Sequence, residues 1–272
     1  MMICDSHTHS SFSFDGEVPV EEIVKQAVEN KIDVLTITDH CDALGIGDKN
    51  NEFGVVLEEA IPKSVLEARR VATLYKDKIK VLAGVELGEP THFPEKTKIA
   101  LSLADFDFVL ASTHQAKGKE DYYFLEYNSK NIESLLEEYF REQLEVVKWN
   151  GFDSLAHFDY PARYIRERTN LNLDYTKYEN IIDEILKVLI ENNKALEVNT
   201  STISKPLGRP MPGEDLLKRY KNFGGKLITL GSDAHKKEVL GKDLVTAIEM
   251  LKKIGFTSYC YYEKHTPVEV EI

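Results

Sequence analysis

The sequence predicts an α/β protein built on a largely parallel sheet, and three features predict it. Short β-rich runs alternate with amphipathic stretches of helical length along nearly the whole chain, the pattern in which each helix crosses between parallel strands. The long polar loops follow strands, which gathers them on the side of a sheet where function collects. A length of 272 residues, 42% hydrophobic and 29% charged, is enough for a full core. α/β barrels run as one unit at about this size, so one domain over residues 1–272 is expected.

In chain order, the first run, Met2–His9, reads as a polar-ended strand, and Pro19–Asn30 as the first helix, with apolar residues at three- and four-residue steps. Strand Asp33–Asp39 leads through the loop Cys41–Val56 to helix Leu57–Tyr75. Strands Lys80–Leu87 and Asp107–His114 are each followed by a long loop, Gly88–Lys98 and Gln115–Lys130, before helix Ile132–Trp149. Strand Ser154–His157, loop Phe158–Asp174 and helix Tyr175–Glu191 come next, then strand Lys194–Asn199, loop Thr200–Gly213 and helix Glu214–Phe223. Strand Lys226–Gly231, helix Leu240–Ile254 and a last strand, Thr257–Tyr262, complete the pattern. No internal repeat, low-complexity tract or linker interrupts it.

Charge and cysteine usage narrow the function. A net charge of -12 repels an extended phosphate backbone, so nucleic acid is not expected as a partner. A small anion remains compatible, because bound divalent ions reverse the local potential of a site. Cys4, Cys41 and Cys260 are an odd, sparse set, read as reduced buried thiols. Met1–Ser10 lacks the basic start and apolar run of a signal peptide, and no segment approaches membrane-spanning length. A cytoplasmic protein without membrane partners is the expectation; the oligomeric state is not legible.

Chemistry-bearing residues gather where strands end. In Asp5-Ser6-His7-Thr8-His9 the two histidines are two apart, so a strand points both to one face, where they can grip one metal ion. Apolar runs then stop at His40 (Leu35-Thr36-Ile37-Thr38-Asp39-His40), Glu86, His114, His157, and Asp233 with His235. Each histidine alone reads better as a strand-capping or core residue bonded to backbone. Six of eight histidines at the carboxyl edge of the strands, with two acids, read better as a metal cluster, since burying them without a cation leaves charges uncompensated. His92 and His265 fall outside the pattern. Asp15, in Ser13-Phe14-Asp15-Gly16, is close enough to strand one to fold over the site, although Asp-Gly also makes a plain turn.

The ordered motifs Asp5-Ser6-His7-Thr8-His9, Thr38-Asp39-His40, Glu86, His114, His157 and Ser232-Asp233-Ala234-His235 resemble the PHP superfamily, named for polymerase and histidinol phosphatase. The resemblance spans residues 5 to 235. It implies a distorted (β/α)7-type, TIM-like barrel with two or three divalent ions, zinc, manganese or iron, at the carboxyl ends of the strands. By position, His7, His9, Glu86 and Asp233 would hold a first ion. Glu86, as a bridge, would hold a second with His114 and His157, and Asp15, His40 and His235 a third. Some members carry His in place of Asp15, which makes the third site harder in ligand character here. Ser13-Phe14-Asp15-Gly16 and Glu197-Val198-Asn199-Thr200-Ser201 resemble the histidinol-phosphatase branch.

That branch implies hydrolysis of histidinol phosphate in histidine biosynthesis. Close divalent ions would lower the pKa of a bridging water toward ~7 and clamp phosphate oxygens for in-line attack, with Glu86 and Asp233 at the reacting centre. Arg163 resembles the arginine that the family places near the phosphate, and its forked guanidinium suits phosphate oxygens. Lys205 and Arg209 are further candidates for the phosphate, against the plain alternative of solvated loop charges. Asp42 and Glu89 are candidates for the amine of a small phosphorylated metabolite, and Tyr122-Tyr123-Phe124 for a lid or a loop anchor. The alternatives are a phosphoesterase acting on nucleotides or another small ester, a hydrolase of C–N bonds, and a metal-binding regulatory module without catalysis.

Overall fold

Seven of the eight β-rich runs become parallel strands because the segment after each returns the chain to the same edge. A computed structural model of the chain describes residues 1–49, 54–169, 171 and 173–272. Residues 50–53 of the predicted loop Cys41–Val56, and 170 and 172 of Phe158–Asp174, lie outside the described residues. Seven strands, β1 (Cys4–Asp5), β2 (Val34–Ile37), β3 (Lys80–Gly88), β4 (Phe108–Ser112), β5 (Ser154–Leu155), β6 (Ala195–Asn199) and β7 (Ile228–Gly231), pair in sequence order, every pair parallel. Ser6 N–H donates to Leu230 O at 2.8 Å, Asp233 N–H to His7 O at 2.8 Å and His9 N–H to Ala234 O at 2.9 Å. These bonds bring the first and last strands together into a nearly closed barrel and remove the exposed edges.

The helices are α1 (Val20–Glu29), α2 (Leu57–Tyr75), α3 (Pro94–Ser102), α4 (Ile132–Trp149), α5 (Pro161–Arg168), α6 (Glu179–Glu191), α7 (Glu214–Asn222) and α8 (Leu244–Ile254). Their apolar stripes face the strands: α1 buries Val20, Ile23, Val24 and Ala27, and α6 buries Ile182, Ile185, Leu186 and Leu189. Each such side chain contributes about 1.5–3 kcal/mol on burial. Asn150, left-handed at φ 63, stops α4. Two of these helices, α3 and α5, occupy the predicted loops Gly88–Lys98 and Phe158–Asp174. Both are short and start at a proline whose fixed φ suits a first turn. In α3 only Thr97 and Ala100 are buried, too narrow a stripe for periodicity to register.

The run Thr257–Tyr262 does not extend the parallel sheet. As β8 (Ser258–Glu263) it pairs antiparallel with β9 (Thr266–Glu271), a strand absent from the sequence reading, across a turn in which Lys264 and His265 have φ 51 and 59. Periodicity cannot separate a hairpin strand from a parallel one, which is why the partner decides it. The hairpin covers the amino ends of the barrel strands. Tyr259 OH donates to Met2 O at 2.9 Å, Lys80 Nζ reaches Glu263 at 2.9 Å, and His265 N–H donates to Asp107 O at 2.8 Å. Tyr262 and Cys260 complete a small apolar cluster with Phe108, Leu110, Ala156 and Ala195. Alternate residues Val109 and Ala111 belong to the main core with the helices, so this cluster fills the opposite face of the strands. The carboxyl end is left for the polar residues. Cys4, Cys41 and Cys260 are buried and unlinked. No helix among the described residues is long and apolar enough to cross a membrane.

Candidate metal centre

The barrel delivers the strand-end residues to one place. His7 and His9 leave β1 toward the interior with their Nε2 atoms 3.0 Å apart. His40, just past β2, forms a parallel bridge with Glu86, which lies within β3 and is fully buried. His114, His157 and the Asp233/His235 pair follow β4, β5 and β7, and Asp15 folds in from the loop after β1. Asp233 has φ 55, an uncommon backbone for a non-glycine residue that turns its carboxylate inward.

Glu86 is the hub. Its Oε2 lies 2.9 Å from His40 Nδ1, 3.3 Å from His7 Nε2 and 3.5 Å from His9 Nε2. Its Oε1 lies 3.0 Å from His157 Nε2 and 3.2 Å from His114 Nε2. Asp233 Oδ1 is 3.7 Å from His7 Nε2 and 3.5 Å from His9 Nε2, and Asp15 Oδ2 is 3.0 Å from His235 Nε2. Within this cluster, His7/His9/Asp233, His9/His40/His235, Glu86/His114/His157 and His40/Asp42/His114 each offer ligand atoms within 4.8 Å of one another. The buried Glu86 Oε2, His40 Nδ1 and His235 Nε2 face oppositely charged partners at 2.9–3.0 Å without the alignment of a hydrogen bond. An unsatisfied buried polar atom costs about 1–3 kcal/mol, and a cation among these lone pairs removes that cost. The donor set of imidazoles and carboxylates fits divalent ions of the zinc, manganese and iron type.

The electrostatics agree with a cation-seeking site. Burial works against charge on Glu86, yet His40, His7 and His114 hold its carboxyl well below the usual range. Asp233 is held down likewise, against burial, by His7, His9 and His235. Burial opposes charge on His114, but the neighbouring acids, Glu86 foremost, push it up to about 10. Burial and the nearby His235 and His40 hold His9 well below its ordinary value.

A second ring of side chains sets these groups. Glu197 Oε1 lies 2.7 Å from His7 Nδ1, and its Oε2 accepts the His157 N–H at 2.7 Å and the Asn199 amide at 3.3 Å. Gly231 makes room, since a Cβ there would sit 2.4 Å from both His7 Cβ and Glu197 Oε1. Asp39 accepts from Ser10 N–H (2.6 Å), Ser10 Oγ (2.8 Å), Ser13 Oγ (2.8 Å) and Ser64 Oγ (2.5 Å), which fixes the segment between His9 and Asp15. Asp5 accepts from Ser232 N–H at 2.9 Å and Oγ at 2.5 Å, pinning the Asp233 turn to β1. Sequence reasoning assigned Asp5 and Asp39 no role. Their signal was an acid one or two residues before a ligand-type histidine.

Arg163 sits on α5, not in a loop, with its guanidinium 3.7 Å from Asp233 Oδ2. Lys205 is exposed at the edge of the site, and partial desolvation with the nearby Arg163 charge lowers its pKa. Arg209 is engaged elsewhere: it donates to the fully buried Asp159 at 2.6 Å and to Pro210 O at 2.8 Å. Asp42 Oδ1 and Glu89 Oε1 each lie 3.9 Å from His114 Nδ1, and Glu89 also accepts the His114 N–H at 2.6 Å. In the aromatic run, Tyr122 is buried as an anchor, while Tyr123 and Phe124 are exposed. His92 pairs with Glu142 and His265 with Asp153, both away from the cluster.

Comparison with known proteins points the same way. The PHP domain family model matches residues 5–201. The histidinol-phosphatase of Lactococcus lactis is 33% identical over 254 residues, covering 93% of this chain and 91% of that protein. The crystal structure of histidinol phosphate phosphatase from Lactococcus lactis, complexed with zinc, L-histidinol and phosphate, superposes with a TM-score of 0.80 at 29% identity over 98% of each chain. A Listeria monocytogenes structure superposes at 0.71 with 19% identity, covering 89% of this chain and 99% of that one, a likeness of fold alone.

Proposed function

The chain belongs to the PHP domain family, and from that premise we propose that it is a histidinol-phosphatase, converting L-histidinol phosphate and water to L-histidinol and phosphate in histidine biosynthesis. The observation that carries this reading is the convergence of six imidazoles with Glu86, Asp233 and Asp15 beside a guanidinium, in a chain alike over its length to an enzyme complexed with zinc, L-histidinol and phosphate. Two or three divalent ions, zinc, manganese or iron, would be held by His7, His9, Glu86 and Asp233, by Glu86, His114 and His157, and, for a third, by Asp15, His40 and His235. His9 also lies within reach of the third group. When bound, such ions supply Lewis acidity and an activated water at neutral pH.

The chain's own residues do the rest. Glu86 sets the spacing of the first two ligand groups by facing both with one carboxylate. Arg163 and Lys205 bring positive charge to the phosphate oxygens at the Asp233 side. Asp42 and Glu89, beside His114, accept from the ammonium or imidazole of the substrate. The commitment of Arg209 to Asp159 makes it a tie between loops. The three buried unlinked thiols suit a reducing, cytoplasmic setting.

The test is phosphate release from histidinol phosphate beside a panel of nucleotides and sugar phosphates, using metal-reconstituted protein and its His7→Ala variant. Turnover that prefers histidinol phosphate and disappears in the variant is the expected result. Equal turnover across the panel removes the substrate assignment, and no turnover with metal bound removes the phosphatase assignment.

A further inference from the structure

The guanidinium of Arg163 is held by two rings and one long ion pair. Its closest carboxylate contact is the 3.7 Å approach to Asp233, and its buried Nε makes no hydrogen bond. Instead it lies 5.7 Å from the centre of the Tyr160 ring and 5.1 Å from that of Tyr164. Ring faces attract a cation without consuming its N–H donors. A carboxylate would both neutralise the fork and occupy it.

The contacts continue outward. Four residues along α5, the distance that brings side chains together on a helix, the Arg168 guanidinium lies 5.2 Å from the Tyr164 ring, 5.3 Å from Tyr123 and 5.9 Å from Tyr127. Arg168 Nη1 donates to Leu125 O at 2.8 Å, and Tyr123 meets Tyr164 edge to face at 5.5 Å. Inward, Tyr164 OH donates to Tyr160 OH at 2.8 Å, and the Tyr160 ring packs 4.8 Å from His157 and 5.1 Å from His114. Tyr123, Leu125 and Tyr127 belong to the segment that follows His114; α5 follows His157. Arg168 therefore joins the two segments that run on from these two histidines.

We propose that Tyr164 and Arg168 are positioning residues for the phosphate site. Tyr164 holds the Arg163 guanidinium with its donors free toward the metal centre, and Arg168 clamps the 115–131 segment onto Tyr164 so that the ring keeps its place. The inference rests on reading Arg163 as a phosphate contact. A group acting only through Arg163 loses its effect once Arg163 is gone, which separates positioning from general support of the fold.

The experiment measures binding of inorganic phosphate to the metal-loaded protein, and kcat and KM for histidinol phosphate, in Arg168→Met, Arg168→Lys, Arg163→Met and the double methionine variant. Arg168→Met should weaken phosphate binding and lower kcat/KM by about twofold to fivefold, the range of a lost cation–π contact at an exposed site. Arg168→Lys should recover part of that loss, and the double variant should be no worse than Arg163→Met. Metal content should stay at the wild-type value in Arg168→Met. Unchanged phosphate binding in Arg168→Met, losses that multiply in the double variant, or a parallel fall in metal content would each overturn the proposal. If the variants order phosphate binding as expected but wild type does not hydrolyse histidinol phosphate, the substrate assignment fails and the positioning role stands.

Discussion

The buried Glu197 carboxylate governs two expected ligands, through the His7 ring nitrogen and the His157 backbone N–H. Such outer partners fix the tautomer and raise the basicity of a metal-ligating histidine, and losing one costs about 10- to 100-fold in metal affinity or activity. Glu197→Gln should show a loss of that size in retained metal after dialysis and in phosphate release; full retention of both would remove Glu197 from the site. At this scale the sequence was informative where a strand's period of two met a sudden change from apolar to titratable residues, as at His7, His9, His40 and His114. It was silent on Gly231, whose missing Cβ matters only because His7 and Glu197 crowd it from other strands.

Elements are where the sequence reading was least complete. The long, regularly amphipathic helices α2 and α4 were legible end to end, whereas α5, eight residues long, was not, and it carries Arg163. The loop after β6 is fastened to the turn after β5 by Arg209 and Asp159. Arg209→Met leaves the fully buried Asp159 with the Tyr175 hydroxyl as its remaining donor and should cost about 1.5–3 kcal/mol in urea unfolding. A loss confined to phosphate binding, with stability intact, would return Arg209 to the substrate. The β8–β9 hairpin makes a complementary case at the other end of the barrel. Tyr259 is buried there, and Tyr259→Ala should cost about 3–5 kcal/mol of stability while leaving kcat per folded molecule unchanged. Activity lost ahead of stability would show that the hairpin reaches the site.

For the whole molecule, six histidines and three acids packed into one barrel mouth make folding and cation binding a linked equilibrium. A cation that binds only the folded chain stabilises it by about 4 kcal/mol at a thousand times its dissociation constant. Chelation should therefore lower the thermal midpoint and abolish phosphate release together, and added zinc or manganese should restore both. A midpoint indifferent to chelator would mean that the cluster is held by its own hydrogen bonds. The sequence by itself determined the order of the seven barrel strands and of six of the helices, and the chemical type of residue at each strand end, because periodicity and composition are local and each apolar run marks its own limit. It also carried the family, since the motifs lie in order along the chain. Only the tertiary structure decided that Glu86 faces five imidazoles, that Asp15 comes over the site, that Arg209 is occupied, and that the last strand turns back as a hairpin over the far end. Those outcomes depend on which strands become neighbours when the sheet closes, a relation between residues up to 200 or more positions apart, such as Asp5 and Ser232, that no local pattern encodes.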